Sequence, residues 1–430
     1  MHRDISTRRR RFLLQTTALA AASGLAPWGP GAATAAPGDR PVRIGFSLAQ
    51  SGGLAGAGRS ALIARQMWRD DINAKGGLLG RPVELVIYDD QSNPALVPSI
   101  YSKLIDIDKV DILWGPYGTT LAMSVMAQVK QRDRLLIGMF VTDANEQVRH
   151  DKYVNVSPFG VTSESEFTAG FAKLAARLGL KKLAILSLDV ESQQLWAGIN
   201  RTVAKRLGIE IVFDQKYSAT TTEFSSLLRS VNASKPDAVL IASYPNDSIY
   251  IVQALDEIGL APSVQLFGGC MIGLQNAAIL QRLGSQVNGI VNIATYVPEK
   301  TLTNPALDDF FRRYAEKARE AKADELGYYM AQYAYAQGQV TEQAVKATQT
   351  LDDARLTKYL HESEMNTIVG KFRFGKTGEF TAMRMVQVQF QGIKSGSLDQ
   401  FRKPGSQVVV EPPELATGTV KVPFVKARSP

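Results

Sequence analysis

Two adjacent carboxylates are the first candidates for chemistry in this sequence. The segment DINAKGGLLGRPVELVIYDDQSNP, residues 71–94, ends a strand-like run in Asp89 and Asp90. Such a pair could bind a metal ion or perform acid–base chemistry, but no third ligand and no histidine accompanies it at the strand exit. Turn-forming residues follow, and aspartates in such positions accept backbone N–H bonds. The sequence therefore predicts that the pair stabilises a turn.

The other reactive residue types are few and scattered. His2, His150 and His361 are isolated, and neither an H-E-x-x-H zinc pattern nor a G-x-S-x-G nucleophile pattern occurs. The single cysteine, Cys270, could act as a nucleophile beside a distant histidine, but a buried, unreactive thiol is favoured. We therefore predict a binding protein and not an enzyme, with no catalytic residue, no metal and no cofactor.

A glycine-rich loop, SGGLAGAGRS, follows the first predicted strand and opens a helix. Residues 53–60 nearly match the phosphate-binding pattern G-x-x-x-x-G-K-[ST], but Arg59 stands in place of the lysine. A planar guanidinium does not reproduce the compact charge of an ammonium group, so nucleotide binding is disfavoured. The loop instead predicts a turn that brings backbone close to a ligand in a cleft.

The N-terminus has the pattern of an export signal. Residues 8–11 are arginines, residues 12–25 are mostly apolar, and residues 33–35 form a small-residue cleavage site. Arginines before Phe-Leu resemble a twin-arginine signal, and a general secretory signal is the alternative. Residues 1–36 contain five arginines and one aspartate, so their removal lowers the net charge from +8 to +4. We predict a periplasmic protein without membrane insertion and, because its basic residues are scattered, without a nucleic-acid partner.

Short apolar runs alternate with helical patterns along the rest of the chain. The strand candidates are residues 42–48, 83–88, 110–115, 134–140, 182–188, 209–213, 238–243 and 264–269. Continuous apolar strands between helices are typical of parallel sheets covered on both faces. Four such units, a break at residues 141–166 and four more units predict an α/β fold. Its two doubly wound parallel-sheet lobes would be joined by a multi-strand hinge, with the ligand cleft between them.

The domain boundaries follow from the same alternation. The long helical stretch at residues 304–347 has no strand partner nearby, so we expect it to return to the first lobe, and residues 384–391 read as one late-added strand. The predicted ranges are 1–36 for the export signal, 42–157 plus 295–383 for the first lobe, 158–294 plus 384–392 for the second lobe, and 393–430 for a C-terminal tail.

Residues 71–94 resemble the first-lobe signature of the leucine/isoleucine/valine-binding family of periplasmic solute-binding proteins. Members typically read D-I-N-A-x-G-G-[IL]-x-G before a strand that ends in Asp-Asp. The resemblance covers most of residues 42–392 and includes SGGLAGAG, TEFSSLLRSVNASKPDAVLIASY (222–244) and NTIVGKFRFGKTGEF (366–380). It implies a two-lobed receptor that captures a small amino acid, amide or related organic acid and delivers it to the membrane permease of an ABC importer. A ligand-binding sensor of the same fold, which signals to a partner protein, is the alternative.

The resemblance implies first-lobe ligand contacts in the loop after the third strand. In the family, hydroxyl groups of this loop hold the ligand carboxylate at a helix start, where free N–H groups favour an anion. GPYGTTLAMS occupies that place, so Tyr117, Gly118, Thr119 and Thr120 are candidates, although Thr119 could merely cap the helix. A second hydroxyl usually follows the fourth strand, where Thr142 lies.

The implied second-lobe contacts depart from the family pattern. Tyr244 matches an aromatic residue that often follows the AVLIAS-type strand in the family. Leu195 and Trp196 stand where a Tyr-Gly pair is common in the family, and Trp196 either lines the cleft or belongs to the core. In members of the family that bind amino acids, a glutamate at or near the position of Cys270 pairs with the α-ammonium group of the ligand. A neutral thiol cannot form this pair. Either the natural ligand lacks an α-amino group, or another acid substitutes: Asp143, Asp189, Glu191 or Asp247.

Overall fold

The computed structural model describes residues 40–142, 144–161 and 166–428, so the predicted export signal lies outside the described residues. The strands are β1 Val42–Ser47, β2 Val83–Tyr88, β3 Ile112–Tyr117, β4 Leu136–Met139, β5 Tyr153–Val156, β6 Lys182–Leu188, β7 Glu210–Tyr217, β8 Ala238–Ser243, β9 Leu266–Met271, β10 Val291–Ala294, β11 Met365–Thr367, β12 Gly370–Phe372, β13 Val386–Phe390 and β14 Gln407–Glu411. The α-helices are α1 Ala55–Ala74, α2 Val97–Ser102, α3 Thr119–Gln131, α4 Ala144–Val148, α5 Gly170–Arg177, α6 Glu191–Arg206, α7 Ser225–Ala233, α8 Pro245–Ile258, α9 Ala277–Leu283, α10 Pro305–Glu320, α11 Ala331–Thr348, α12 Asp353–Glu362 and α13 Phe424–Ala427.

The first sheet has the strand order β2-β1-β3-β4-β5, with every pair parallel. Side chains of β3 enter two cores, as the alternation of a strand requires: Ile112 and Trp114 pack on the side of α1 and α11, and Leu113 packs on the side of α2 and α3. Both faces of this sheet are therefore covered by helices, which confirms the doubly wound prediction. The sheet also contains β5, which lies inside the predicted break.

The second sheet has the order β14-β13-β10-β9-β8-β6-β7. Strands β6 to β10 are parallel, whereas β13 pairs antiparallel with both β10 and β14. The prediction of a C-terminal tail from residue 393 is wrong for this segment, because β14 adds a strand to the sheet. The apolar residues Val408, Val409 and Val410 bury their side chains there, and this burial outweighs the polar, proline-bearing sequence around them.

The chain passes between the two sheets after β5, after β10 and again before β13. Helices α10 and α11, which follow β10, pack on α1, a contact that is in line with the prediction that residues 304–347 return to the first lobe. Two α/β lobes connected by several crossings result, with the carboxyl ends of the strands available for a ligand.

A buried arginine ties the elements that carry the first-lobe loops. Arg65 of α1 is fully buried, its Nε donates to the side-chain oxygen of Gln337 in α11 at 3.0 Å, and Nη2 donates to the carbonyl of Gly115 in β3 at 3.3 Å. Its guanidinium lies 4.3 Å from the ring centre of Phe46, a favourable cation–π contact. This arginine therefore holds the end of β3 in place next to Tyr117.

Asp89 and Asp90 stabilise the turn after β2, as the sequence predicted. Asp89 accepts hydrogen bonds from the backbone N–H groups of Gln50 at 2.9 Å and Gln91 at 2.8 Å. Burial opposes ionisation of Asp89, but these bonds outweigh it and lower its pKa. Asp90 is buried and accepts from the Ser47 hydroxyl at 2.8 Å, so the pair joins the β1 and β2 loops.

Candidate functional site

A cavity of about 240 Å³ lies between the two lobes. The first lobe supplies the start of α1, the end of β3 and the loop before α11, and the second lobe supplies the start of α8 and the turn after β9. Its lining residues are Gly53, Leu54, Gly56, Ala57, Ser60, Tyr117, Tyr244, Pro245, Ile272, Gln275, Asn276, Asp324, Tyr329 and Met330. The position agrees with the rule that open α/β sheets bind ligands beyond the carboxyl ends of their strands.

Three tyrosines from both lobes face this cavity. The Tyr117 hydroxyl donates to the Tyr329 hydroxyl at 3.3 Å, and the two rings meet edge to face at 6.3 Å. Tyr244 of the second lobe is close enough to act electrostatically on both. Burial raises the pKa of all three phenols, so they stay protonated at neutral pH and can donate or accept a hydrogen bond.

Tyr244 is held by the first turn of α8. Its backbone N–H donates to the carboxyl group of Asp247 at 3.1 Å, and the Tyr217 hydroxyl also donates to Asp247. The Tyr244 hydroxyl forms a hydrogen bond with that of Ser192 at 2.9 Å. The backbone N–H and the side-chain hydroxyl of Tyr244 are therefore both held by hydrogen bonds.

The glycine-rich loop lies at the cavity wall, as predicted. Gly53 and Gly56 line the cavity, and Gly58 packs directly under the end of β1. A Cβ on Gly58 would lie 1.7 Å from the carbonyl oxygen of Ala49, so only glycine allows α1 to begin this close to the strand. Ser60, two residues further into α1, also lines the cavity.

The predicted hydroxyl loop lies beside Tyr117 but is not among the lining residues. Gly118, with a φ of 100°, precedes α3, and the Thr119 side chain does not cap this helix. The Thr119 hydroxyl oxygen instead accepts the backbone N–H of Thr142 at 3.1 Å. Thr120 is exposed and Thr142 is buried, so this arrangement joins the β3 and β4 loops.

Trp196 and Cys270 lie in the core of the second lobe, away from the cavity lining. Trp196 is buried against the rings of Phe159 and Phe167, with centroids 6.0 and 5.7 Å away. Cys270 is fully buried in β9 with the Asn200 amide 4.0 Å from its sulfur. Burial raises the pKa of this thiol, which agrees with the predicted unreactive cysteine.

Of the four acids considered as substitutes for the family glutamate, the three that the structure describes do not line the cavity. Asp189 pairs with Lys216 at 3.4 Å, Glu191 is exposed, and Asp247 holds Tyr244. Asp143 lies outside the described residues. The acid that does line the cavity is Asp324, which the sequence analysis did not select.

Residues 41–396 match the family model described as periplasmic binding protein. The chain belongs to this family. Among its relatives, Leu/Ile/Val-binding protein homolog 7 of Brucella abortus (strain 2308) is 24% identical over 408 residues, which cover 91% of this chain and 96% of that protein. The two lobes and the cleft described above are therefore those of a periplasmic binding protein.

Solved structures of periplasmic binding proteins share this fold. The isoleucine complex of LivJ from Streptococcus pneumoniae aligns with a TM-score of 0.70 at 20% identity, covering 87% of this chain and 100% of that one. A solute binding protein of an ABC transporter from R. palustris, in complex with benzoate, aligns with a TM-score of 0.68 at 18% identity, covering 86% and 96%. At these identities the likeness establishes the fold alone.

Across residues 40–142, 144–161 and 166–428, no group of three or more His, Cys, Asp or Glu residues could hold a metal ion. Within the same ranges, no helix has the length and apolar character needed to cross a membrane.

Asp324 connects the two lobes of this periplasmic binding protein. One carboxylate oxygen accepts the backbone N–H of Ala277, at the start of α9 in the second lobe, at 3.1 Å. It also accepts the N–H groups of Leu326 at 3.1 Å and Gly327 at 3.4 Å within its own loop. The adjacent Glu325 pairs with Arg402 at 2.9 Å. This loop therefore contacts second-lobe segments beside the cavity.

The titration of Asp324 predicts a dependence of stability on pH. Burial raises its pKa from 3.8 to about 6. Because the folded state then holds the proton more tightly than the unfolded state, this carboxyl stabilises the fold below about pH 4. The contribution is lost as the pH rises to about 6. The side chain that Asp324→Asn introduces stays neutral at every pH. We therefore expect the free energy of unfolding of this variant, relative to the wild type, to rise by about 2 kcal/mol between pH 4 and pH 7, less than the full pKa shift implies because Asp324 is partly exposed. Urea unfolding at both pH values measures this gain, and a pH-independent difference would contradict it.

Proposed function

We propose that this periplasmic binding protein captures a small amino acid, amide or related organic acid between its lobes and delivers it to the permease of an ABC importer. In this proposal the chain is exported by the twin-arginine signal and works in the periplasm. The first lobe comprises residues 42–157 and 295–383, and the second comprises residues 158–294 and 384–392, to which β14 is added. The ligand would leave chemically unaltered.

The cavity between the lobes is the observation that carries this proposal. Residues of both lobes line it, with Tyr117 and Tyr329 on one side and Tyr244 on the other. Closure around a ligand would exclude water and strengthen the polar contacts, because the local dielectric falls. Relatives named for Leu/Ile/Val binding support an amino acid, and the benzoate complex of a fold neighbour supports an organic acid.

The predicted contact residues divide into three groups in this proposal. Tyr117 and Tyr244 contact the ligand directly. Gly118, Thr119, Thr120 and Thr142 form the adjacent loops, which would meet a ligand that extends past Tyr117. Trp196 and Cys270 support the second lobe from within.

A thermal-shift screen of the purified protein against amino acids, carboxamides and aromatic acids tests the proposal. A ligand that binds the native state stabilises it by mass action and so raises the melting temperature. At a ligand concentration of one hundred times the dissociation constant, the gain in the free energy of unfolding is about 2.7 kcal/mol. We expect one chemical class to produce a large shift. If no member of any class shifts the transition, and calorimetry also detects no binding, the proposed function is wrong.

The hydrogen bond between Thr119 and Thr142 can be tested separately by substitution. Thr119→Ala leaves the buried Thr142 N–H without its acceptor, so we expect a loss of about 1–2 kcal/mol in the free energy of unfolding. We also expect weaker ligand binding, because the β3 loop beside Tyr117 would loosen. Urea unfolding and calorimetry measure the two effects. Thr120→Ala, at the exposed neighbour, is the control for stability and should not change the free energy of unfolding measurably.

A further inference from the structure

Gln275 is a buried polar side chain that faces the cavity without a partner. It ends the 3₁₀ turn Ile272–Gln275 after β9, lines the cavity, and is only 7% exposed. Within the described residues, neither its amide oxygen nor its amide nitrogen has a hydrogen-bond partner. Buried polar groups are almost always hydrogen-bonded, and one that is not requires an explanation. A ligand in the cavity would supply the missing bonds.

The local backbone shows how the turn is held at this wall. A Cβ on Gly273 would lie 2.7 Å from the Cβ of Ser248 and 2.9 Å from the carbonyl oxygen of Pro245. The glycine therefore lets the turn pack against the start of α8, next to Tyr244. Gln275 reaches the cavity from a fixed backbone, as a residue that determines specificity should.

The polar groups around Gln275 favour a neutral ligand group over an anion. Among the residues that the structure describes, those that line the cavity include no lysine or arginine, and their one charged side chain is the carboxylate of Asp324. A ligand carboxylate beside Gln275 would offer acceptors only, so it would leave the Gln275 oxygen unpaired and would meet the negative charge of Asp324. A group with both N–H donors and a carbonyl acceptor would satisfy the Gln275 amide completely, whichever way that amide is turned.

We propose that Gln275 determines ligand specificity by pairing its side-chain amide with a carboxamide or urea-type group of the ligand. The ligand N–H donates to Oε1, the ligand carbonyl accepts from Nε2, and remaining N–H groups can reach the carboxylate of Asp324. This inference rests on the proposed function and narrows its ligand to carboxamides and ureas over the matching carboxylic acids.

Calorimetry with matched pairs tests the inference on the purified protein. The probes are benzamide against benzoate and propionamide against propionate, with urea and leucine as further ligands. We expect the carboxamide of a binding pair to bind on the order of 10- to 100-fold more tightly than its carboxylate, because the acid leaves a buried acceptor unpaired. The Gln275→Met variant keeps the side-chain volume but removes both polar amide atoms. We therefore expect its ratio of carboxamide affinity to carboxylate affinity to fall towards one.

The chain offers a matched control in Gln193. This residue of α6 is also fully buried with both amide atoms unpartnered in the described structure, but it does not line the cavity. Gln193→Met should leave the ratio of the wild type unchanged. If Gln275→Met does not fold, the ratio measured on the wild-type protein still decides the inference.

The possible outcomes separate the inference from the proposed function. A preference for carboxylates, binding of leucine without any carboxamide or urea, or an unchanged ratio in Gln275→Met would overturn the role of Gln275 and leave solute capture intact. Binding of no probe, together with a negative screen of amino acids and aromatic acids, would overturn both.

Discussion

Tyr244→Ala is expected to weaken ligand binding on the order of 100-fold while the protein stays folded. Tyr244 is the aromatic residue that the second lobe contributes to the cavity lining, and its backbone N–H and its hydroxyl are both hydrogen-bonded to neighbouring residues. Truncating a buried aromatic contact at the centre of a binding site typically costs 2–4 kcal/mol, about 30- to 1,000-fold in affinity. Calorimetry with the ligand that gives the largest thermal shift measures the loss.

Two variants separate the contribution of this ring from general damage to α8. Tyr244→Phe keeps the ring and loses only the bond to Ser192, so we expect a loss of about tenfold or less. Tyr250→Ala removes a half-buried tyrosine from the same helix that does not line the cavity, and should leave affinity unchanged. Unchanged affinity in Tyr244→Ala would place the ligand elsewhere in the protein.

Gly338→Ala is expected to destabilise the protein by about 3 kcal/mol. Gly338 lies within α11, where it packs on Trp68 of α1, and a Cβ there would lie 2.1 Å from the indole ring. Trp68 is fully buried and its ring lies 5.4 Å from that of Trp114, so it has little room to move. Forcing an extra methyl group into such packing typically costs 1–3 kcal/mol and sometimes more.

The control is another glycine inside a helix. A Cβ on Gly198 in α6 would meet only Arg201, at 3.8 Å, so Gly198→Ala should instead stabilise the protein by up to about 1 kcal/mol through the higher helix propensity of alanine. Urea unfolding of the two variants compares them directly. Equal effects of the two substitutions would show that α1 and α11 are less tightly packed than described.

The sequence predicted the strands that contain a short apolar run, whether they are fully buried, as β8 is, or only partly buried, as β2 is. The run VELVIY matches β2 and AVLIAS matches β8 residue for residue, because continuous apolar residues distinguish such strands from amphipathic helices. Strand β5 was missed because it has four residues and follows polar ones. Strand β14 was missed because its burial depends on pairing with β13, a contact between segments that no local pattern encodes.

The candidate site was predictable only where a residue follows a strand directly. Tyr117 ends β3 and Tyr244 follows β8, and the family resemblance, which places ligand contacts after these strands, selected both. Gln275 ends an additional 3₁₀ turn, and Asp324 and Tyr329 lie in the loop between α10 and α11, far along the chain from β3 and β8. Their convergence is a property of the three-dimensional path of the chain. Asp324 in particular looked like any surface acid in the run AKADELG.

The burial of Cys270 makes this protein suitable as an optical reporter of its own solute. Its only thiol is fully enclosed in β9 and stays protonated, so thiol-reactive dyes will not label the natural chain. A cysteine introduced at an exposed position near the rim of the cleft would then carry a fluorophore at a single known site. Emission from that probe would follow the occupancy of the protein without any removal of native residues.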